Sequence, residues 1–249
     1  MSNLTPNDIW QVAVLGYWEG LDLQQAKQGE LTGIKDTGNR AAVTGGKQMD
    51  AMQEVFAKIW RSDPDIKLEV RTTGNNNLPA YFRPAKNWDL LVLYRGSLIA
   101  AMEFKSQRGP SFGNNFNNRT EEALGLAADS QMAVERGLFG HLKPWFGFIM
   151  LVERAPKSLA PIAVPKNMPF PVDPVFFGAS YIERYRIFFE RMVVEGNYDA
   201  VALITAENAD SHFVEPSVVL SLANLEAAIR ARIAYIKALP DEIFDELTE

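Results

Sequence analysis

Asp89, Glu103 and Lys105 have the residue types and spacing best suited to chemistry in this chain. An acid on one strand, followed by Glu-x-Lys on the next, is the arrangement that metal-dependent phosphodiesterases use. The carboxylates would bind a divalent cation, and the ammonium group would stabilise charge or lower the pKa of an attacking water. Oxygen ligands favour Mg²⁺, with Mn²⁺ as a substitute. The pattern alone is weak, because such residues at strand ends are usually solvated and the spacing recurs by chance.

The elements that must position these residues are two apolar runs, Trp88 to Tyr94 and Leu98 to Phe104. Each has the length of one strand, and the short break Arg95 to Ser97 predicts that they form an antiparallel hairpin. If Arg95 to Ser97 form a three-residue loop, Tyr94 pairs with Leu98, and the residue numbers of each pair sum to 192. A two-residue loop would slip the pairing by one residue, so the functional interpretation requires an odd loop.

In the sum-192 register, Asp89 lies directly across from Glu103, with Cβ atoms roughly 5 Å apart. Lys105 is two residues further along the strand and points to the same face. Two ionised carboxylates at that separation repel by roughly 3 kcal/mol at an effective dielectric near 20. A divalent cation would turn this repulsion into coordination.

Longer motifs around these residues resemble the XhoI-like Type II restriction endonucleases, a branch of the PD-(D/E)XK nuclease superfamily. The resemblance is carried by Thr44 to Asp50, Leu78 to Asp89 and Glu103 to Ala123, with a weaker echo at Gly178 to Tyr185. It covers about residues 40 to 190. One departure is that Trp88, rather than a proline, precedes Asp89.

The resemblance implies a homodimer that makes Mg²⁺-dependent double-strand cuts in DNA at a palindromic six-base site, with CTCGAG as the expected sequence. It also implies a cognate DNA methyltransferase that acts on the same site. Asp89 and Glu103 would bind the metal with the Phe104 carbonyl as an extra ligand, and Lys105 would assist the attacking water. Asp50 and Glu54 lie one helical turn apart. Asp50 falls inside a resembling motif and is therefore the favoured additional ligand, although the two acids form a solvated pair in the alternative interpretation.

A polar stretch, Ser106 to Asn118, follows the proposed metal strand and predicts a loop that contacts DNA. Asn and Gln pair with adenine and Arg pairs with guanine. A helix is expected to open at Arg119 and run to about Arg136, so that its first backbone N–H groups face a phosphate. The candidate DNA-binding residues are Lys47, Arg83, Lys86, Gln107, Arg108, Ser111, Asn114, Asn115, Asn117, Asn118 and Arg119.

Composition sets limits on the function. The chain has 249 residues, no cysteine and two histidines, which argues against disulfides, thiolate zinc sites and histidine-dependent nucleases. No run is apolar enough to span a membrane and no secretion signal is evident, so a cytoplasmic, prokaryotic protein is expected. The net charge is −6, but residues 61 to 119 hold nine basic and five acidic residues. Thr44 to Lys47 fails the phosphate-loop template at Ala41 and Gln48.

The order of the predicted helices and strands gives an α/β fold in which a mixed central β-sheet is flanked by α-helices. The resemblance implies that its core is restriction-endonuclease-like. A single domain over 1–249 is expected, with a catalytic core at about 47–206 and helical extensions at 1–46 and 207–249. Outside the hairpin, the predicted helices are Thr5 to Trp18, Lys47 to Arg61, Ser180 to Glu195 and Ser217 to Leu239. The predicted strands are Lys67 to Thr72, Phe146 to Glu153 and Tyr198 to Ala206, and the predicted loops are Gln24 to Gly46 and Ala155 to Phe177.

Two other functions remain open from the sequence alone. A repair or recombination nuclease of the same superfamily would cut according to DNA structure rather than sequence. A DNA-binding module with an inert hairpin site would bind DNA without cutting it.

Overall fold

The computed structural model describes residues 5–32 and 47–245. Its helices are α1 (Pro6–Thr32), α2 (Asp50–Trp60), α3 (Phe112–Glu135), α4 (Pro156–Leu159), α5 (Tyr181–Val194), α6 (Leu222–Ala238) and α7 (Glu242–Asp245). Its strands are β1 (Glu69–Arg71), β2 (Asn77–Pro79), β3 (Ala85–Asn87), β4 (Leu90–Tyr94), β5 (Ser97–Gln107), β6 (Trp145–Glu153), β7 (Ala200–Ala206) and β8 (Phe213–Val214). No helix in these ranges is long and apolar enough to cross a membrane.

Six strands form one mixed sheet in the order β1-β4-β5-β6-β7-β8. β5, β6 and β7 run parallel, while β1, β4 and β8 pair antiparallel with their neighbours. The short strands β2 and β3 form a separate ribbon. This architecture confirms the predicted fold class, and β6 is the buried central strand that its unbroken apolar sequence predicted.

Helices cover both faces of the sheet. α1, α2 and α6 pack on one face, with Met102 and Phe104 of β5 in the shared core. α3 and α5 pack on the other face, where Ala101 of β5 is buried. Side chains alternate between faces along a strand, so Glu103 and Lys105 belong to the face covered by α3 and α5.

The hairpin turn differs from the prediction. β4 and β5 are joined by a two-residue turn, Arg95 and Gly96, in which both φ angles are positive, 48° and 80°. This is the backbone of the tight hairpin turns whose twist suits flanking strands. Tyr94 therefore pairs with Ser97, and the three-residue loop was wrong.

A β-bulge restores the register that the predicted loop would have given. Leu93 pairs with Leu98 but Val92 pairs with Ala100, which leaves Ile99 as the extra residue in β5. Consistent with this, the adjacent residues Ile99 and Ala100 both lie in the same core cluster. From Val92 to Leu90 the paired numbers sum to 192, as predicted. Without the bulge, Glu103 would face the apolar core beneath α2.

Three predicted loops are partly helical, and in one of them, Ala155 to Phe177, α4 occupies Pro156–Leu159. The segment Gln24 to Gly46 was expected to be a loop, but α1 continues through it to Thr32; residues 33–46 lie outside the described residues. The stretch Ser106 to Asn118 was also expected to be a loop, whereas β5 continues to Gln107 and α3 begins at Phe112, seven residues before the predicted start at Arg119. Asn and Gly disfavour helix interiors, so composition misled here.

Candidate active site

Asp89 lies directly before β4, where the hairpin register continues to a position opposite Glu103. Its Oδ2 accepts a hydrogen bond of 2.8 Å from the Phe104 backbone N–H. The pKa of Asp89 is raised to about 6. Burial is the largest cause and the Glu103 carboxylate adds to it, while Lys105, the Phe104 N–H and Lys86 act in the opposite direction. The two acids are therefore close enough to repel, as the sequence predicted.

Glu103 is held between two lysines. Its side chain is only 2% exposed, and Lys86 Nζ donates to its Oε2 at 2.9 Å. Lys105 Nζ donates to its Oε1. Burial alone would lower the pKa of Lys105, but the carboxylates of Glu103 and Asp89 outweigh it and raise that pKa. The contact between Lys86 and Glu103 was missed, because the position of Lys86 just before Asp89 had suggested only DNA binding.

A cavity of about 850 Å³ opens between this site and α3, and Glu103 and Lys105 line it. Its basic lining residues are Arg83, Lys86, Lys105 and Arg119, and its acidic ones are Glu103, Glu121, Glu122 and Asp129. The positive balance of residues 61 to 119 is thus not reproduced inside the cavity itself, where acidic α3 residues offset the basic ones.

Arg83 is used to fix the loop between β2 and β3. Its Nε donates to Asp129 Oδ2 at 2.7 Å. Asp129 is buried and its Oδ1 also accepts the backbone N–H groups of Tyr81 and Phe82, at 2.8 and 3.0 Å. Burial raises the pKa of Asp129, but these hydrogen bonds outweigh it and lower that pKa. Sequence reasoning missed Asp129, since its partners lie more than 40 residues away.

The first turns of α3 present a polar face beside the site. Ser111, Asn114, Asn117 and Asn118 are exposed there. Asn115 is half-buried and donates to the Arg108 carbonyl at 3.4 Å. The asparagines therefore belong to α3, with Ser111 directly before it, rather than to the predicted loop.

Gln107 corrects one predicted DNA contact. Its side chain is buried, its Nε2 donates to the Phe112 carbonyl at 2.9 Å, and its Oε1 accepts from the Tyr185 hydroxyl. It thus ties the end of β5 to α3 and α5. In this conformation no donor or acceptor of Gln107 is presented to a base.

The remaining basic candidates lie around the start of α3. Arg119 lines the cavity, where its Nε donates to the Ser106 carbonyl at 3.2 Å and its Nη1 contacts Glu122 Oε2 at 2.6 Å. Arg108 Nη1 is buried and finds no hydrogen-bond partner within residues 5–32 and 47–245. The side chain of Lys47 lies outside the described residues.

The donor set fits a hard divalent ion. Within the described part of the chain, no group of three or more His, Asp or Glu side chains converges, so Asp50, exposed at the start of α2, does not join Asp89 and Glu103 there. Mg²⁺ commonly binds through one or two carboxylates and completes its octahedron with water and substrate phosphate. Asp89 and Glu103 supply two carboxylates, and Glu103 lines the open cavity, so the pair satisfies that requirement.

Comparison with known proteins agrees with this geometry. The family model described as restriction endonuclease XhoI matches residues 26–216. The chain is 44% identical to the Type II restriction enzyme BstVI of Geobacillus stearothermophilus over 179 residues, covering 70% of this chain and 80% of that protein. It is 40% identical to the Type II restriction enzyme XhoI of Xanthomonas vasicola over 190 residues, covering 75% of each.

A third relative is the Type II restriction enzyme AbrI of Azospirillum brasilense, 45% identical over 148 residues, which cover 59% of this chain and 66% of AbrI. No solved structure matches the chain significantly. The family match spans the hairpin, the cavity and the polar face of α3. The chain therefore belongs to the XhoI family of Type II restriction endonucleases.

Proposed function

We propose that this protein makes Mg²⁺-dependent double-strand cuts in DNA at a short palindromic site, with CTCGAG as the specific sequence. The observation that carries the proposal is the cluster of Asp89, Glu103 and Lys105 beside one open cavity. Burying two carboxylates that repel each other destabilises the metal-free fold. An arrangement of that kind is expected where a cation is bound.

Asp89 and Glu103 hold the metal in this proposal, with the Phe104 carbonyl as a further ligand. The ion, when bound, supplies positive charge to the scissile phosphate and activates water. Lys105 stays fully protonated because the carboxylates raise its pKa. Its ammonium group donates hydrogen bonds to the attacking water or to the phosphate oxygens. In-line displacement then leaves a 5′-phosphate and a 3′-hydroxyl.

Sequence recognition is assigned to the polar face of α3. Ser111, Asn114, Asn117 and Asn118 are exposed on consecutive turns, and amide side chains can pair bidentately with adenine. Arg119 lies in the second turn of α3 and Arg108 lies four residues before that helix; we assign both to contacts with guanine or phosphate. The helix is fixed to the metal strand through Gln107, so bases and the scissile phosphate are presented to one rigid unit.

The partners follow from this activity. A palindromic site is matched by a homodimer, since each subunit then contacts one half-site. A cognate DNA methyltransferase would protect the same site in a prokaryotic cytoplasm. The substrate is double-stranded DNA.

The test is digestion of a plasmid of known sequence that contains one CTCGAG site. With Mg²⁺ we expect a single linear product whose ends map to that site, and no product with chelator. A matched plasmid with one base pair of the site changed serves as the control. Cutting at junctions or ends irrespective of sequence would indicate a structure-specific nuclease and contradict the proposal; discrete cutting at another palindrome would revise only the site.

A further inference from the structure

The contacts of Lys86 are unusual for a residue that would bind only a phosphate. Its side chain is 21% exposed, and its ammonium group is hydrogen-bonded to Glu103 Oε2 and to the Asn87 carbonyl. The same group lies 5.8 Å from the centroid of the Trp88 ring. Lys86 therefore points inward to the buried acid, with three groups that favour a cation around it.

Both oxygens of Glu103 consequently have a cationic partner. Lys105 contacts Oε1, and Lys86 contacts Oε2. Taken as ionised, Asp89, Glu103, Lys86 and Lys105 sum to zero charge. The two acids with Lys105 alone would instead carry one negative charge, which would attract a divalent ion. Lys86 thus neutralises the net negative charge that would otherwise attract a divalent ion.

The ribbon that carries Lys86 is separate from the main sheet. Lys86 lies in β3, which pairs with β2 in a separate two-stranded sheet. Lys105, by contrast, lies in the middle of the hydrogen-bonded ladder between β5 and β6. A side chain on a small ribbon can change its contact without moving β5, and Lys86 also lines the cavity where DNA phosphate would enter.

We infer that Lys86 competes with the divalent ion for Glu103. In the metal-free protein Lys86 neutralises the carboxylate, and when the ion binds, the hydrogen bond between Lys86 Nζ and Glu103 Oε2 breaks, so that Oε2 can bind the ion. The freed ammonium group then faces the cavity, where it can donate a hydrogen bond to a DNA phosphate. This inference rests on the proposed metal site at Asp89 and Glu103. It assigns Lys86 a positioning role rather than a catalytic one.

The first test measures Mn²⁺ binding to the DNA-free protein by isothermal titration calorimetry, so cleavage is not involved. We expect Lys86→Met to bind Mn²⁺ about tenfold more tightly than wild type, the change implied by removing one charge-assisted hydrogen bond that competes with the ion. Lys86→Arg keeps the charge and should bind no more tightly than wild type. Lys58→Met is the matched control, because Lys58 is exposed on α2 on the opposite face of the sheet.

The second test uses the wild-type protein and needs no variant. Amine acetylation followed by mass spectrometry should show that Mn²⁺ increases the reactivity of Lys86 while that of Lys58 stays constant. Equal reactivity of Lys86 with and without Mn²⁺ would overturn the inference.

The outcomes separate this inference from the proposed function. If wild type does not bind Mn²⁺, or if Asp89→Asn and Glu103→Gln still bind it as wild type does, the proposed metal site is wrong and the inference falls with it. If that binding is present but Lys86→Met binds Mn²⁺ no more tightly than Lys58→Met, the role of Lys86 is refuted and the metal site stands.

Discussion

Asp89→Asn should stabilise the metal-free protein while removing its response to metal. In the folded protein the pKa of Asp89 is about 6, above the ordinary carboxylate value of 3.8. This pKa difference of about 2 means that the ionised Asp89 carboxylate destabilises the folded protein by about 3 kcal/mol relative to the unfolded chain. Asparagine keeps an oxygen that can accept from the Phe104 N–H but carries no charge.

The net gain should be smaller than that figure, because the amide group of asparagine also loses hydration on burial. We expect the free energy of unfolding to rise by about 2 kcal/mol at pH 8. For a chain of this size, each kcal/mol shifts Tm by about 2–4 °C, so Tm should rise by about 4–8 °C. Asp22→Asn, at an exposed position on α1, should leave Tm unchanged.

The pH dependence gives an independent check of the cause. Above pH 6 the Asp89 carboxyl is ionised in both states, and the folded protein bears the full destabilisation. As the pH falls through about 6, the folded protein takes up a proton that the unfolded chain does not yet bind, so wild type gains stability relative to the variant. Below about 3.8 the carboxyl is protonated in both states, and the advantage of the variant disappears.

The assay is thermal unfolding of both proteins in chelator from pH 4 to 8, repeated with Mg²⁺ at neutral pH. Ligand binding to the folded state should raise the Tm of wild type and leave that of Asp89→Asn unchanged. Equal Tm values of the two proteins at pH 8, or a Tm difference that is constant over the pH range, would refute the argument that ionised Asp89 destabilises the folded protein.

Four further substitutions test contacts around the site. Lys105→Ala should reduce plasmid cleavage by about 100-fold or more, while duplex binding, measured by fluorescence anisotropy, changes little; retained cleavage would exclude the proposed role of Lys105. Gln107→Leu should lower the free energy of unfolding, measured in urea, by about 1–3 kcal/mol, since the Tyr185 hydroxyl and Phe112 carbonyl lose their partner. Asn114→Ala, on the exposed face, should leave stability unchanged. It should instead weaken binding to the specific duplex relative to a scrambled one. Asp129→Asn should destabilise the protein at neutral pH, and in wild type this contribution should be lost only as the pH falls through the lowered pKa of Asp129, below 3.8; equal acid sensitivity of the two proteins would contradict it.

The sequence predicted the register at the site for an incomplete reason. A three-residue loop, which the functional interpretation required, placed Asp89 opposite Glu103, and the observed pairing of Leu90 with Met102 agrees with that register. The turn itself was mispredicted, because a bulge at Ile99 compensates a two-residue turn. No local feature of Leu98 to Ala100 distinguishes a bulge from a regular strand, so only the fold as a whole decides between them.

Contacts between distant residues were beyond sequence reasoning. The role of Gln107 depends on Tyr185, and that of Arg83 on Asp129, which lie 78 and 46 residues away. Both residues were assigned to DNA because polar side chains near a catalytic motif commonly bind the substrate. The helical start of α3 was hidden for a different reason: its Asn and Gly residues have poor helix propensity, and packing against α5 overrides it.

The charge balance of the cavity predicts that DNA binding depends on the metal. Each of its four basic residues, Arg83, Lys86, Lys105 and Arg119, is already hydrogen-bonded to an acidic residue. The lining therefore offers a phosphate little net attraction until a divalent ion adds two positive charges.

Binding of a duplex to the cleavage-deficient Lys105→Ala variant should consequently tighten by at least about tenfold when Mg²⁺ replaces chelator, which corresponds to about 1.4 kcal/mol. The comparison is made at matched ionic strength, because salt alone weakens phosphate contacts. In Asp89→Asn with the same Lys105 change, the enhancement should vanish. Equally tight binding in chelator would mean that residues outside the cavity provide the attraction, and that the metal serves the cleavage step alone.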